Sequence, residues 1–448
     1  MENGVEPEQI AFVSFTRKAT SEAMTRVLDR FKLRATDFPY VRTLHSLAYM
    51  QLGITQAEVM REKDYIELGS YLGLEFSGKI VGLEENASND NTRFSGDKYV
   101  YLDGFARNRK LTPEKAWEQV GSYDLNWFEF ERFHRALREY KIDNNLIDFS
   151  DLLEAQHHPL PVKVAIIDEA QDLSTLQWKF ALEIFSQAER IYIAGDDDQA
   201  IYTWSGADVR YFLNIPGERT ILHQSHRVPR AIHRVAEEIA GRIETRITKS
   251  YAPRDGEGHV EYHSDMHNID FSSGTWLLLA RNGYMLGRLS KLVRDQGYLY
   301  SYRGDSIINK EHLAAITAWT KWRKVGAVDP MEHMLIEKYL PPGLEKWPDI
   351  IWHEALERIP LEDREFYISL LRNGERITQQ PRINISTIHG VKGGEADHVL
   401  LLTDTTVKAR DGMFVQPDAE HRVWYVAATR ARESLHVIMP QSSCAYDI

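Results

Sequence analysis

The sequence predicts an α/β protein built from parallel layers. Short apolar runs recur, each followed by a helix-like stretch. Polar or acidic clusters stand directly after several of these runs. Two long aromatic-rich regions of helical character interrupt the alternation. Strands alternating with helices pack as parallel sheets with helices on their faces. In such sheets ligands bind beyond the carboxyl ends of the strands, so chemistry is expected in the clusters after the runs.

In chain order, Ile10–Phe15 reads as the first strand and leads into a helix from about Lys18 to Lys32. Val162–Ile167 runs into Asp168 and Glu169, then a helical LSTLQWKFALEIF. Ile191–Ala194 ends at Gly195 and three aspartates. Trp276–Ala280, Ile383–Ile388, Val399–Leu402 and Leu435–Ile438 are further strands. Residues from about 50 to 145 and from about 286 to 379 read as mainly helical insertions. Pro341-Pro342-Gly343 and the stretch from Gly82 to Gly96 read as loops. No repeat of fixed period occurs.

The chain has 448 residues, 43% of them hydrophobic and 27% charged, with a net charge of −12. At about 150 residues per unit this suggests roughly three structural units with ample apolar content for cores. The lone Cys444 excludes an intrachain disulfide and a cysteine zinc cluster. The polar start MENGVEPEQI is not a signal peptide, and no apolar run approaches the ~18 residues a membrane span needs. A cytoplasmic protein is expected. Net acidity disfavours nucleic acid as a partner of the whole surface, but a single cleft with local positive charge is not excluded.

Residues 164–172, VAIIDEAQD, place two carboxylates at the end of a buried strand. Such acids must be solvated, paired or metal-bound. In nucleotide hydrolases the first orients Mg²⁺ and the second takes a proton from water. The plainer reading is a helix whose first turn is acidic, which the helix dipole favours. Residues 191–204, IYIAGDDDQAIYTW, add three crowded acids, a glutamine and two aromatics. Mutual repulsion of these acids calls for a solvated turn or a nearby cation.

Together, DEAQD (168–172) and GDDDQAIYTWSGAD (195–208) resemble motifs II and III of superfamily 1 helicases of the UvrD, Rep and PcrA type. AFVSFTRKATSEAM (11–24) and VRTLHSLAYM (41–50) resemble motifs Ia and Ib. IDFSDLL, with Asp148 and Asp151, is similar to the segment before motif II. LHQSHRVPRAI (222–232) resembles motif IV, and LLLARN (277–282) the strand after it. ISTIHGVKGGEADHVLLL (385–402) and HRVWYVAATRARESLHVI (421–438) resemble motifs V and VI.

The resemblance implies two RecA-like parallel-sheet cores. The first would comprise residues 1–49 and 145–215, with an insertion at 50–144. The second would comprise 216–285 and 380–448, with a reduced insertion at 286–379. It implies ATP and Mg²⁺ as cofactors, with Asp168 on the metal, Glu169 activating water and Gln199 sensing the γ-phosphate. Arg227 and Arg430 would be arginine fingers, supplying fixed positive charge to the transition state. His226 would stack on adenine and Glu395 would accept from the ribose. Single-stranded DNA would meet Phe15, Thr16, Thr43, His45, Tyr202, Trp204, Arg281, Thr387 and His389, with Tyr202 and Trp204 stacking on bases. The plainer reading of these two aromatics is core packing. Helix N-termini after Phe15 and near Thr43 can offer amides to phosphates, and Arg17, Lys18 and Arg26 add local charge. The implied activity is 3′-to-5′ translocation coupled to closure of the two cores.

The sequence departs from the family at its start, because motif Ia begins by Ile10 with no G-x-x-x-x-G-K-[ST] loop before it. Gly73–Ile80 fits that spacing until Ile80, which has no hydroxyl for Mg²⁺, and a helical pattern precedes it. Loss of the loop and its strand would leave a half-built phosphate site and an exposed apolar sheet edge. A truncated or misassigned start, a loop on a separate polypeptide, and an ATPase-inactive single-stranded DNA-binding accessory protein are the competing expectations. Smaller departures are His226 where tyrosine is usual, and Gly390 and Gly394 where serine and leucine are commoner, which should loosen that loop.

Overall fold

The computed structural model describes residues 4–77, 94–121, 125–342 and 350–448. The chain divides into two compact units. The first comprises Met1–His223, Ile239–Ser250 and Gly412–Val426, and the second Gln224–Glu238, Tyr251–Asp411 and Ala427–Ile448. Among the described residues no helix is long and apolar enough to cross a membrane.

The sheet of the first unit contains β1 (Ile10–Ser14), β2 (Val41–Arg42), β3 (Val164–Asp168) and β4 (Arg190–Ile193), in the order β2-β1-β3-β4 and parallel throughout. Three of the expected apolar runs become β1, β3 and β4. The two-residue β2 is too short to leave a periodic signal. The register sets Ser14 beside Asp168 and Ile167 beside Ile193, so the carboxyl ends of three strands lie together. Thr16 then caps the helix Arg17–Phe31 by accepting from Ala19 N at 3.2 Å, and Thr43 caps Leu44–Leu52 by accepting from Ser46 N at 3.3 Å.

β4 ends the sheet. Arg190 N donates to Lys163 O and Ala194 N to Ile167 O. By the two-residue period of a strand, the amides of Ile191 and Ile193 point away from β3. Ile191 and Tyr192 are exposed, as is the neighbouring Leu182. Trp178, Leu182, Ile191, Ile193, Tyr211 and Ile215 help line an open, mostly apolar hollow of about 540 Å³ beside this edge. An uncovered apolar edge in a parallel sheet is unusual, because such strands are normally buried on both sides. Among the described residues β4 thus presents an exposed, partly apolar edge.

The first insertion has its own core. Helices Glu62–Leu72, Ser95–Asn108, Pro113–Val120 and Trp127–Asp143 enclose a cluster running from Met60 to Leu137. Tyr99 lies at its centre, with ring centroids 6.0 Å from Phe130 and 6.1 Å from Phe133. Gly73, at φ +67°, caps Glu62–Leu72 in the left-handed conformation. Helix, not strand, thus precedes the loop-like Gly73–Ile80, whose residues 78–80 lie outside the described residues. Of the other expected loops, residues 82–93 and Gly343 also lie outside them, Gly96 begins a helix, and Pro341 and Pro342 are non-helical.

A buried ionic network ties this insertion to the core. Asp148 caps the helix Phe149–Glu154 and shares a capping box with Asp151. Arg107 reaches Asp148 at 2.7 Å and Glu154 at 2.7 Å and also bonds Asp151, while Lys141 lies 2.6 Å from both aspartates. Burial opposes the charge on Asp148, but Arg107 and Lys141 outweigh it and hold its carboxyl down at about 2.

The second unit holds β5 (His259–His263), β6 (Trp276–Ala280), β7 (Tyr300–Tyr302), β8 (Asp305–Ser306), β9 (Ile383–Thr387), β10 (Ala396–Leu402) and β11 (Ala431–Ile438). Their order is β5-β11-β10-β6-β9-β7-β8, and only the β7–β8 pair is antiparallel. The expected boundary at residue 286 cuts through this sheet, since β7 pairs with β9. One contiguous core joins Leu278, Ile385 and Leu400 of the strands to Trp319, Ile336 and Phe366 of the helices beyond. The periodicity around Tyr300 is too short to mark a strand, so 286–379 reads as helical when taken alone.

Replacing Arg107 with Met should lower the unfolding free energy by ~3–5 kcal/mol, because Asp148 and Asp151 would keep only Lys141 as counter-charge. Urea denaturation measures this. The depressed Asp148 pKa contributes stability above its unfolded value of about 4, and that stability is lost as pH falls toward about 2. The loss between those values should be smaller in Asp148→Asn than in the native chain.

Candidate functional site

The head of the first sheet gathers five polar side chains from β3 and β4. Asp168 ends β3, and Glu169 follows it at φ 52°, a left-handed conformation that is costly for a residue with a Cβ. Burial, and then the charge of Glu169, push the Asp168 carboxyl above its ordinary value. Gln171, which the sequence reading passed over, bridges the two strands. Its Nε2 donates to Glu169 Oε2 at 2.6 Å and its Oε1 accepts from Asp196 N at 3.1 Å. Gly195 is required here, since a Cβ would lie 2.5 Å from Gln171 Oε1. Gln199 Nε2 donates to Asp196 Oδ2 at 2.7 Å. Across the ladder from Asp168, Ser14 Oγ is buried with no hydrogen-bond partner among the described residues.

The crowded aspartates have the nearby cation that their repulsion demands. Lys249 Nζ lies 2.7 Å from Asp196 and 3.1 Å from Asp198 and also bonds Asp197. Arg246 clamps Asp198 from Nε at 2.8 Å and from its terminal nitrogen at 2.5 Å. Arg422 Nε donates to Asp197 O at 2.7 Å. Asp418 accepts from the amides of Glu244 and Thr245 at 2.8 Å each, fixing the segment that carries Arg246 and Lys249. These contacts explain why 239–250 and 412–426, expected in the second core, fall in the first unit. Burial pushes Asp196 up, but Lys249 and Gln199 outweigh it and hold it below the usual carboxylate range. Burial likewise opposes the charge on Lys249, yet the three carboxylates keep it well above the ordinary lysine value.

Beside this cluster, Phe15 and Tyr202 stack at 4.8 Å, and Trp204 meets Tyr202 edge-on at 6.1 Å. Phe15 and Tyr202 are only 4% and 6% exposed, so neither presents a free face. Trp204 is half-buried. Thr16 and His45 are half-buried, while Thr43 is buried by its capping role. Arg17 and Lys18 are exposed, and Arg26 pairs with Glu22 at 2.5 Å.

In the second unit the arginines converge on one loop. Arg430 is buried, donating to Gly394 O and Thr429 Oγ1 at 3.2 Å each. Arg227, partly exposed, lies 3.9 Å from the exposed Glu395, which also pairs with Arg432 at 3.3 Å. His226 is exposed beside Arg227. At the carboxyl ends of β6 and β9, Arg281 is half-buried and Thr387 and His389 are buried. Gly390 is tied into this loop through its backbone. Its amide donates to Thr387 Oγ1 at 3.2 Å, and a Cβ there would sit 2.6 Å from Ser386 Oγ, so close packing selects glycine. At Gly394 a Cβ would lie 3.1 Å from Val391 O, another tight approach.

Two matches to sequence families now settle the lineage. Residues 1–219 match the UvrD/REP helicase N-terminal domain, and residues 358–442 match the UvrD-like helicase C-terminal domain. The chain belongs to the UvrD-like helicase family. Among curated relatives of this family, ATP-dependent DNA helicase Rep of Buchnera aphidicola is 24% identical over 235 residues, covering 49% of this chain and 34% of that protein. A probable DNA helicase of Mycoplasma pneumoniae is 24% identical over 415 residues, covering 83% of this chain and 74% of its own length. DNA helicase II of Escherichia coli is 25% identical over 239 residues, covering 49% of this chain and 32% of that helicase. The chain thus spans about a third of the Rep and DNA helicase II relatives.

For a UvrD-like helicase, Asp168 and Glu169 are a fitting donor set for Mg²⁺, which prefers carboxylate oxygen. On Asp168 the one backbone hydrogen bond that favours its charge, from Glu169, is outweighed by burial and by the Glu169 carboxylate. Asp168→Asn should therefore raise the thermal unfolding midpoint while removing a metal ligand, which calorimetry without Mg²⁺ checks. Lys249→Met should have the opposite effect, lowering stability by ~3–5 kcal/mol by taking the lysine counter-charge from the buried Asp196 and Asp197, as read by chemical denaturation.

Proposed function

We propose that this chain carries the catalytic carboxylates, phosphate-facing guanidinium groups and strand-binding surface of an ATP-dependent DNA helicase moving 3′-to-5′ on single-stranded DNA. The observation that carries this reading is the Gln171 bridge, which locks Glu169 to the Asp196–Gln199 turn across adjacent strand ends. A nucleotide hydrolase needs a base and a phosphate sensor held in fixed relation, and a buried amide bonded to both sides provides that rigidity.

In this proposal Asp168 holds Mg²⁺, which supplies neutralising charge to the phosphoryl oxygens when bound with ATP. Glu169 accepts the proton of the attacking water, held by the amide of Gln171. Gln199 reports the γ-phosphate to the DNA-facing turn that carries Tyr202 and Trp204. Arg227 is the guanidinium best able to reach phosphate, since among the described residues Glu395 is its only ion-pair partner and lies 3.9 Å away. The role given to Arg430 requires it to leave Gly394 O and Thr429, so its first task is to hold the motif V loop. His226 stacks on adenine, and Glu395 turns from its arginines to the ribose. Base stacking rests on Trp204, because Phe15 and Tyr202 already cover each other. Thr16, His45 and Arg281 meet the DNA backbone, while Thr43, Thr387 and His389, being buried, position neighbouring amides.

The phosphate cradle is proposed to come from one further parallel strand and its glycine-rich loop, laid against the open edge of β4. It would cover Ile191, Tyr192 and Leu182 and fill the apolar hollow beside them.

The 448-residue chain alone should bind a fluorescent oligothymidylate and hydrolyse ATP near background. Adding the segment with the glycine-rich loop should produce DNA-stimulated hydrolysis, which Glu169→Gln lowers by about 10²–10⁴-fold. Hydrogen exchange at Ile191 and Ile193 should slow on that addition. Strand binding without hydrolysis in either form would instead favour an ATPase-inactive single-stranded DNA-binding accessory protein.

A further inference from the structure

The second unit contains a cluster of imidazoles carried by β5, β10 and β11. His259, Glu261 and His263 alternate along β5 and so share one face of it. The parallel register sets Ser434 opposite His259 and His436 opposite Glu261. His398 of β10 lies opposite Ser434 on its other side. Ordinary edge strands carry charge to discourage pairing, but β5 carries residues that converge on a point.

We propose that Glu261, His263 and His436 form a binding site for one divalent transition-metal ion, with Zn²⁺ as the best fit. Three ligand atoms face one another. His263 Nε2 lies 3.0 Å from His436 Nδ1 and 3.5 Å from Glu261 Oε2, and His436 Nδ1 lies 3.6 Å from the same oxygen. Zn²⁺ holds nitrogen and carboxylate oxygen at about 2.0–2.2 Å, so tetrahedral ligand atoms stand about 3.3–3.5 Å apart. The triangle has the size that one such ion spans. Two imidazoles and a carboxylate also match the donor preference of zinc over Mg²⁺ or Ca²⁺. A fourth position is left for water.

The surroundings prepare His436 for this role. Its Nε2 lies 2.8 Å from Ser434 Oγ, which lies 2.7 Å from His398 Nδ1. With the Ser434 hydroxyl donating to His398, His436 Nε2–H donates to Ser434 and leaves Nδ1 bare toward the cluster. Such outer hydrogen bonds fix the tautomer and orientation of a metal-binding histidine. The Trp276 ring, 5.2 Å from that of His436, screens the inner side. Glu261 is exposed, giving an ion access from solvent. The bound ion would clip edge strand β5 to β11, a role independent of nucleotide or DNA.

Zinc titration of the purified, metal-stripped chain against a chromogenic chelator, with no nucleotide or DNA present, tests the assignment. One equivalent should bind, and Co²⁺ in its place should give the visible absorption of a tetrahedral site. His436→Ala and the surface change Glu261→Ala should each weaken binding at least tenfold. Ser434→Ala should weaken it by about 10–100-fold through the lost orientation of His436. Glu261→Ala keeps the test valid if His436→Ala fails to fold. Absence of stoichiometric binding, or binding of the same strength in Glu261→Ala and His263→Ala, would overturn the proposal.

Discussion

Neutralisation of buried carboxylates at the head of the first sheet is the constraint on which the candidate site depends. Asp197 and Asp198 are 1% and 0% exposed, and three adjacent acids cannot be desolvated without cations. Lys249, Arg246 and Arg422 supply them, and Asp418 holds the segment that delivers two of the three. With those charges satisfied, the turn after β4 is rigid enough for Asp196 to fix Gln199 and for Gln171 to span to Glu169. Asp168 stands apart from this compensation, its carboxyl raised by burial. The site therefore separates acids that build the scaffold from acids left to do chemistry.

Much of this was legible in the amino-acid sequence because it is local. Aliphatic runs at 10, 164, 276, 383 and 399 became strands, and the acids and amide after them fell at strand ends. Long-range partners left no local trace. Lys249 lies 50 residues beyond the aspartates it neutralises, in a segment whose pattern, RIETRITKS, suggests only a solvated turn. Gln171 sits inside a recognised motif but shows its role only when β4 lies beside β3. β5 alternates histidine and glutamate with apolar residues and reads as surface until β11 gives it a partner. Residue type was likewise readable where exposure was not. Phe15 and Tyr202 are aromatic as a base-binding surface requires, yet they spend their faces on each other.

The two insertions differ in kind for a physical reason. The first closes a core of its own around Tyr99, Phe130 and Phe133 and is joined to the sheet by the ionic network of Arg107 and Lys141. Among the described residues the second has no separate core, because Trp319, Ile336 and Phe366 pack continuously with strand residues such as Leu278 and Ile385. An element fused through apolar contact moves with its sheet. The first meets its sheet through further polar contacts as well, Arg109 with Asp208 and Tyr101 with Trp204 O.

The discontinuous make-up of the first unit bears on how the polypeptide reaches its native state. Its acidic turn emerges from the ribosome near residue 196, but Arg422 follows only after more than 200 further residues. Until then the segment carrying Arg246 and Lys249 lacks its Asp418 anchor, and the long loop between must be closed before the native contacts form. Vectorial folding of an N-terminal half is thereby discouraged. The native first unit is assembled only after synthesis of nearly the whole chain, which makes completeness at the C-terminal end a condition for order near the N-terminal one.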